Sequence, residues 1–126
     1  MTQTLLYGGT FDPVHTGHVE VPFAAMHHLG FDRVLYVPAN IAPLKEDSPT
    51  PPSHRLAMLQ LALADLPWAE ISPIELDREG TSYTIDTLEA LQTEDDSIRL
   101  LIGADQWQQF QSWKRWDEII ELADPV

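Results

Sequence analysis

A short apolar run, two glycines and a histidine-rich turn, in that order, constrain the fold of this chain more than any other feature. Residues 5–7 are apolar, and residues 8–18 read GGTFDPVHTGH. This order is typical of a strand-to-helix junction in an α/β protein, where backbone N–H groups meet an anionic ligand. His15 and His18 can both face one side of the first helical turn and donate hydrogen bonds to phosphate oxygens. The pattern therefore predicts nucleotide chemistry.

Alternating strand and helix patterns along the rest of the chain predict parallel strands joined by helical crossovers. The predicted strands are residues 4–8, 33–37, 68–76 and 98–102. The predicted helices are residues 17–29, 53–66, 83–92, 103–110 and 116–122. Pro22 is expected to kink the first helix or delay its start, and residues 38–52, with five prolines, are expected to form a loop. The predicted fold is α/β and Rossmann-like, a doubly wound parallel sheet with helices on both faces.

Composition limits the partners that such a domain can have. The 126 residues suffice for a single domain, and the absence of cysteine excludes disulfides and fits a cytoplasmic protein. No signal-peptide pattern opens the chain, and no apolar run is long enough to span a membrane. The net charge of −13, with seven lysines and arginines, argues against a nucleic-acid partner. An anionic ligand must therefore be attracted locally, by helix N-termini, a few cations and a divalent metal.

The histidine turn resembles the signature of a nucleotidyltransferase superfamily, whose T/HxGH motif is filled here by residues 15–18, reading HTGH. Two later stretches select a family within it. Residues 82–88 read SYTIDTL and resemble the SYT-x-x-TL element of the nicotinate-nucleotide adenylyltransferases. Residues 103–105, with Trp113 eight positions after Asp105, resemble the GxD segment and downstream tryptophan of the same family.

The resemblance implies adenylyl transfer from ATP to nicotinate mononucleotide, with Mg²⁺ held by ATP phosphates and water rather than by a protein metal site. Under it, the catalytic residues are His15 and His18. The residues that bind ATP and its phosphates are Gly8, Gly9, Thr10, Phe11, His15, His18, Lys45, Gly103 and Asp105. The residues that bind nicotinate mononucleotide are Tyr83, Thr84, Asp105 and Trp113. No protein nucleophile is implied, because the attacking phosphate is already anionic.

Taken alone, the same residues also have simpler interpretations. Residues 82–88 make a good helix start, with an acid in the first turn and an apolar face behind it. Lys45 is a single cation in a loop, and such residues are usually solvated. The tryptophans could be core anchors; they are Trp107, Trp113 and Trp116.

The sequence departs from the family pattern at two places. Leu44 stands where the family's Pro-His-Lys/Arg triplet has histidine, and the ISxTxxR-type element that usually follows is not in the sequence. We therefore expect the last part of the usual domain to be missing, which would leave an unpaired sheet edge that favours homo-oligomers. Alternatives stay open: an adenylyltransferase for nicotinamide mononucleotide or phosphopantetheine, or a non-catalytic nucleotide-binding module.

Overall fold

The computed structural model describes residues 2–11, 14–39, 50–77, 83–91 and 96–126. Its strands are β1 (Thr2–Gly9), β2 (Arg33–Pro38), β3 (Ala69–Ile71) and β4 (Asp96–Leu101). They form one parallel four-stranded sheet in the order β3-β2-β1-β4. The strand order reverses at β1, so the carboxyl end of this strand is the switch point where doubly wound sheets bind ligands.

Helices connect the strands in the way that the sequence predicts. The described helices are α1 (Gly17–Leu29), α2 (Pro52–Leu63), α3 (Thr84–Leu91), α4 (Ala104–Gln108) and α5 (Trp116–Ala123), with a 3₁₀ turn at Phe110–Ser112. None of these described helices is long and apolar enough to cross a membrane. α1 has its predicted bounds, so Pro22 does not delay its start. Gly30 ends α1 with φ 71°, a left-handed conformation that glycine adopts without strain.

Alternate side chains of the central strands enter two separate cores, because neighbouring residues of a strand point to opposite faces. On one face, Leu5 of β1 and Tyr36 of β2 share a core with Met26 of α1. On the other face, Leu6 of β1 shares a core with Ile119 of α5. The prediction of a parallel sheet with helices on both faces is confirmed.

The third strand and some helix ends differ from their predicted bounds. The sequence predicts the third strand at residues 68–76. β3 has only three residues, and Pro73 follows two positions after its end. The chain turns there instead, and the Asp77 N–H donates to the Pro73 carbonyl (3.0 Å). α2 and α4 stop at Leu63 and Gln108, short of their predicted ends. Most of the predicted loop at 38–52 lies outside the described residues.

The outer edge of β4 carries backbone hydrogen bonds to Val126. The Val126 N–H donates to the Leu100 carbonyl (2.8 Å), and the Ile102 N–H donates to the Val126 carbonyl (3.0 Å). This is the pattern of parallel pairing opposite Leu101. The expectation of a fully unpaired edge is therefore wrong at this point of the strand.

Candidate functional site

Two stacked imidazoles mark the carboxyl end of β1, at the start of α1. The ring centroids of His15 and His18 are 3.7 Å apart, and the ring planes are 24° from parallel. The His15 N–H donates to Nδ1 of His18 (3.0 Å), and the Gly17 N–H donates to Nδ1 of His15 (3.1 Å). Because each Nδ1 accepts a hydrogen bond, the neutral form of each ring carries its proton on Nε2. The pair can therefore present two Nε2–H donors to phosphate oxygens.

The charge state of His18 follows from its surroundings. Partial burial lowers the pKa of His18 below its ordinary value of 6.5, and His15 lowers it further because two adjacent positive charges repel. At neutral pH, His18 is therefore an uncharged hydrogen-bond donor. A donor that is already oriented can stabilise charge that develops on a phosphoryl oxygen.

Close packing holds the histidine pair in place. A Cβ atom on Gly17 would lie 3.0 Å from Cε1 of the His15 ring, so any other residue at this position would press on the stacked ring. Phe11 is 3% exposed, and its ring meets the His18 ring edge-on at 5.0 Å between centroids. Phe11 also adopts φ 52°, a left-handed conformation that costs a non-glycine residue roughly 1 kcal/mol. Its side chain lies in the core, so only its backbone is available to a ligand.

Some of the backbone donors expected at this helix start already have partners. The Gly17 N–H is engaged by the His15 ring, and the His18 N–H donates to the His15 carbonyl (2.9 Å). A phosphate at this turn would therefore meet the imidazole donors rather than these two amides. The sequence pattern predicts the helix start correctly, but it cannot show which amides the turn itself uses.

A cavity opens at the switch point, beside the carboxyl end of β1. Its described lining consists of Leu6, Gly8, Gly9, Thr10, Ala39, Glu75, Tyr83, Thr84, Leu100, Leu101, Gln106, Trp113, Lys114 and Ile119. Segments that the sequence assigns to two different substrates thus share one cavity: residues 8–10 on one side, and Tyr83, Thr84 and Trp113 on the other. Oγ1 of Thr10 is buried and has no hydrogen-bond partner among the described residues. A ligand atom in the cavity would satisfy it.

A lysine brings positive charge to this cavity. Nζ of Lys114 lies 4.7 Å from the centroid of the Tyr83 ring and 3.5 Å from Oδ2 of Asp86. Lys114 is the one lysine or arginine in the described lining. In a chain of net charge −13, it is a local positive charge, partly offset by the Asp86 carboxylate beside it. No sequence motif singles it out, because a lysine beside an arginine is usually a surface residue.

A buried carboxylate supports the start of α3. Glu75 is 6% exposed, lines the cavity and accepts a hydrogen bond from Oγ1 of Thr87 (2.6 Å). The Thr87 N–H in turn donates to the Tyr83 carbonyl (3.3 Å). These bonds hold the residues at the start of α3 against the cavity. Glu75 was not predicted, because its partner is 12 positions away and no motif joins the two.

A buried arginine joins the carboxyl ends of β1 and β2. Arg55 of α2 is 1% exposed, and its Nη1 donates to the carbonyls of Thr10 (2.9 Å) and Ala39 (2.7 Å). Its Nε donates to the Thr50 carbonyl (3.3 Å). A buried guanidinium is tolerable only when hydrogen bonds replace its hydration. Arg55 was not predicted either, because these acceptors are backbone atoms, which leave no trace in the sequence.

The remaining predicted site residues have other positions. His15 and His18 are not part of the described cavity lining. Gly103 is exposed and extended just before α4. Lys45 and the side chain of Asp105 lie outside the described residues. Within the part of the chain that the structure describes, no group of three or more His, Cys, Asp or Glu residues could hold a metal ion.

Comparison with known proteins agrees with this architecture. The sequence matches the cytidylyltransferase-like family over residues 6–124. Relatives from Symbiobacterium thermophilum and Roseiflexus sp., both named "Probable nicotinate-nucleotide adenylyltransferase", are 39% and 43% identical over 98% and 94% of this chain. The chain spans 61% and 60% of their lengths. A solved structure of Plasmodium falciparum nicotinic acid mononucleotide adenylyltransferase has a TM-score of 0.81 at 16% identity, covering 95% of this chain and 60% of that one, and shares the fold.

Proposed function

Because the chain belongs to the cytidylyltransferase-like family, we propose that it transfers the adenylyl group of ATP to nicotinate mononucleotide. The observation that carries this proposal is the stacked His15 and His18 pair, which begins six positions after Gly9, the second of the two glycines that line the cavity. The names of the relatives support this choice of substrates. The Plasmodium falciparum structure is complexed with NaAD, the dinucleotide that the proposed reaction forms.

In the proposed reaction, a phosphate oxygen of nicotinate mononucleotide attacks the α-phosphorus of ATP. The bond from the α-phosphorus to the bridging oxygen breaks, and pyrophosphate leaves with that electron pair. Nε2–H of His18 donates to an oxygen of the α-phosphate as charge develops there. His15 and Lys45 steady the triphosphate. Rate acceleration then comes from alignment and charge stabilisation, without a covalent enzyme intermediate.

The cavity is proposed to hold the pyridine nucleotide. Trp113 offers a flat face on which the pyridine ring can stack. The N–H groups at the start of α3, beside Tyr83 and Thr84, suit the pyridine carboxylate. Lys114 adds attraction for the negative charge of that carboxylate. Asp105 is proposed to accept hydrogen bonds from ribose hydroxyls.

Mg²⁺ enters the proposal together with ATP. Phosphate oxygens and water would supply most of its ligands. Its chemistry there is to neutralise phosphate charge. A cytoplasmic location and self-association are also proposed; the lack of cysteine fits a reducing compartment.

Product analysis by mass spectrometry tests the proposed function. The chain is incubated with ATP, Mg²⁺ and one acceptor at a time: nicotinate mononucleotide, nicotinamide mononucleotide or phosphopantetheine. We expect nicotinate adenine dinucleotide from the first acceptor, lost in His18→Ala and kept in His28→Ala, because His28 is an exposed residue in the last turn of α1, at the opposite end of the helix from His18. Product from another acceptor alone would reassign the substrate. ATP binding without any product would identify a non-catalytic module.

A further inference from the structure

Helix α1 contains a proline, and the carbonyl that therefore receives no hydrogen bond from the helix belongs to the histidine turn. Pro22 lies within α1, and a proline has no N–H to donate to the carbonyl four residues earlier. For Pro22, that carbonyl belongs to His18. The same carbonyl accepts a hydrogen bond from the Tyr36 hydroxyl (2.7 Å), which comes from the neighbouring strand β2. A side chain of the sheet thus supplies the donor that the helix lacks.

The packing around Tyr36 limits the movement of its side chain and so holds the hydroxyl at the His18 carbonyl. The residue is 0% exposed, and its ring packs edge-on against Tyr7 (centroids 5.7 Å apart, planes at 88°) and beside Phe11 at 6.0 Å. Burial raises the pKa of the Tyr36 hydroxyl far above its ordinary value, with a smaller contribution from Tyr7. The hydroxyl therefore stays protonated and keeps donating.

A shift of the His18 carbonyl would reach both imidazoles. Nδ1 of His18 accepts the His15 N–H (3.0 Å), and the two rings stack at 3.7 Å. The backbone of one histidine and the ring of the other must therefore move together. A bond that fixes the His18 backbone to the sheet also fixes the two Nε2–H donors.

We propose that Tyr36 is a positioning residue for the histidine pair, and that Pro22 makes His18 depend on Tyr36 by removing the helix's own donor. Tyr36 acts through His18 and touches no substrate. The effect on turnover rests on the proposed function, whereas the effect on the position of the rings does not. The alternative is that Tyr36 only fills the core, in which case Pro22 has no bearing on it.

The test removes the Tyr36 hydroxyl in two backgrounds. Tyr36→Phe is made in the otherwise unchanged chain and together with Pro22→Ala, which restores a helical N–H for the His18 carbonyl. In the unchanged background we expect kcat to fall about tenfold with little change in KM, because a misplaced donor acts mainly on the transition state. The NMR shifts of the His18 ring should move as well. In the Pro22→Ala background the same deletion should lower kcat less than about twofold, since the two changes are coupled through one acceptor.

Tyr7→Phe is the matched control. It removes the hydroxyl of a ring that packs beside both Tyr36 and His18 and that no described residue binds by hydrogen bonding, so kcat should not change and the His18 shifts should move less than in Tyr36→Phe. Equal losses of kcat on Tyr36→Phe in both backgrounds, or wild-type His18 shifts in that variant, would overturn the proposal. So would a loss of folding that Pro22→Ala does not relieve. If the unchanged chain forms no dinucleotide, the proposed function fails, but the His18 shifts still decide this inference.

Discussion

Phe11 and Arg115 both adopt a left-handed backbone conformation, with φ 52° and 53°, but different forces hold them. Phe11 is buried and packs against His18. Arg115 is exposed and forms ion pairs with Glu89 (2.8 Å) and Glu118. Burial therefore fixes the backbone beside the histidine pair, whereas solvent-exposed charges help to fix the backbone beside Trp113.

The same contrast between burial and exposure separates the residues around His18 from the residues around Trp113. The histidine turn, residues 14–18 with Phe11, is held by short local hydrogen bonds, ring packing and the buried Tyr36 hydroxyl. The acceptor wall, formed by Tyr83, Thr84, Trp113 and Lys114, meets solvent and carries an exposed ion pair. Exposed pairs contribute little and are screened by salt. The comparison indicates that the histidine pair is firmly held, whereas the wall beside Trp113 is more open to adjustment by single substitutions.

The largest effect is expected from Arg55→Met, which tests the buried side of this comparison. The free energy of unfolding should fall by about 3 kcal/mol, because the carbonyls of Thr10 and Ala39 lose a buried donor. Urea denaturation measures it. Arg99→Met is the matched control: Arg99 pairs with the exposed Asp124, and its loss should cost less than about 1 kcal/mol. Equal losses in both variants would show that burial does not determine how much an arginine contributes to the stability of this fold.

Trp113→Ala should weaken the acceptor wall without disturbing the histidine turn. Loss of the stacking face should raise KM for nicotinate mononucleotide about tenfold and change kcat much less. Steady-state kinetics with varied acceptor measures both constants. Trp107→Ala provides the control, because Trp107 is 55% exposed and outside the described lining. If both variants change KM alike, Trp113 has no special role at the pyridine.

Lys114→Met should have a smaller effect, confined to substrate choice. The preference for nicotinate over nicotinamide mononucleotide, taken as the ratio of kcat/KM values, should fall about threefold, as expected for an exposed charge. Lys114→Arg keeps the charge and should preserve the ratio. The effect should shrink at high salt because of screening. A ratio that stays constant in Lys114→Met would remove this ammonium from acceptor selection.

The smallest effect concerns pH and returns to the histidine turn. Because burial lowers the pKa of His18 below 6.5, the folded chain keeps His18 neutral at a pH where the unfolded chain protonates it. Stability should therefore fall as the pH drops below 6.5, until the folded pKa is reached. His18→Asn should reduce this slope in urea denaturation at a series of pH values. An identical slope in wild type and His18→Asn would contradict the assigned shift.

The histidine turn is predictable from sequence because its parts are neighbours in the chain. Strand, glycines and helix start follow one another, and the spacing of His15 and His18 brings them to one side of a turn. The acceptor wall is less accessible, since its segments meet only through the fold. A resemblance to a family could group Tyr83 with Trp113, whereas residue spacing alone could not.

The supporting residues escape sequence analysis for a physical reason. The described acceptors of the Arg55 and Tyr36 side chains are backbone carbonyls, up to 45 and 18 positions away. A backbone carbonyl has the same chemistry in every residue, so no pattern of residue types marks it. Pro22 shows the converse. The sequence shows that the helix lacks one N–H donor, but only the structure shows that the Tyr36 hydroxyl donates to the carbonyl concerned.

Under the proposed function, a neutral His18 presents its Nε2–H to the phosphates of ATP. The most direct measurement is a ¹⁵N NMR spectrum of the histidine rings at neutral pH, before and after addition of ATP and Mg²⁺. We predict a proton on Nε2 of His18 and none on Nδ1 in the free chain, and a marked shift of the Nε2 signal when ATP binds. A proton on Nδ1 in the free chain, or an Nε2 signal that does not respond to bound ATP, would contradict the account.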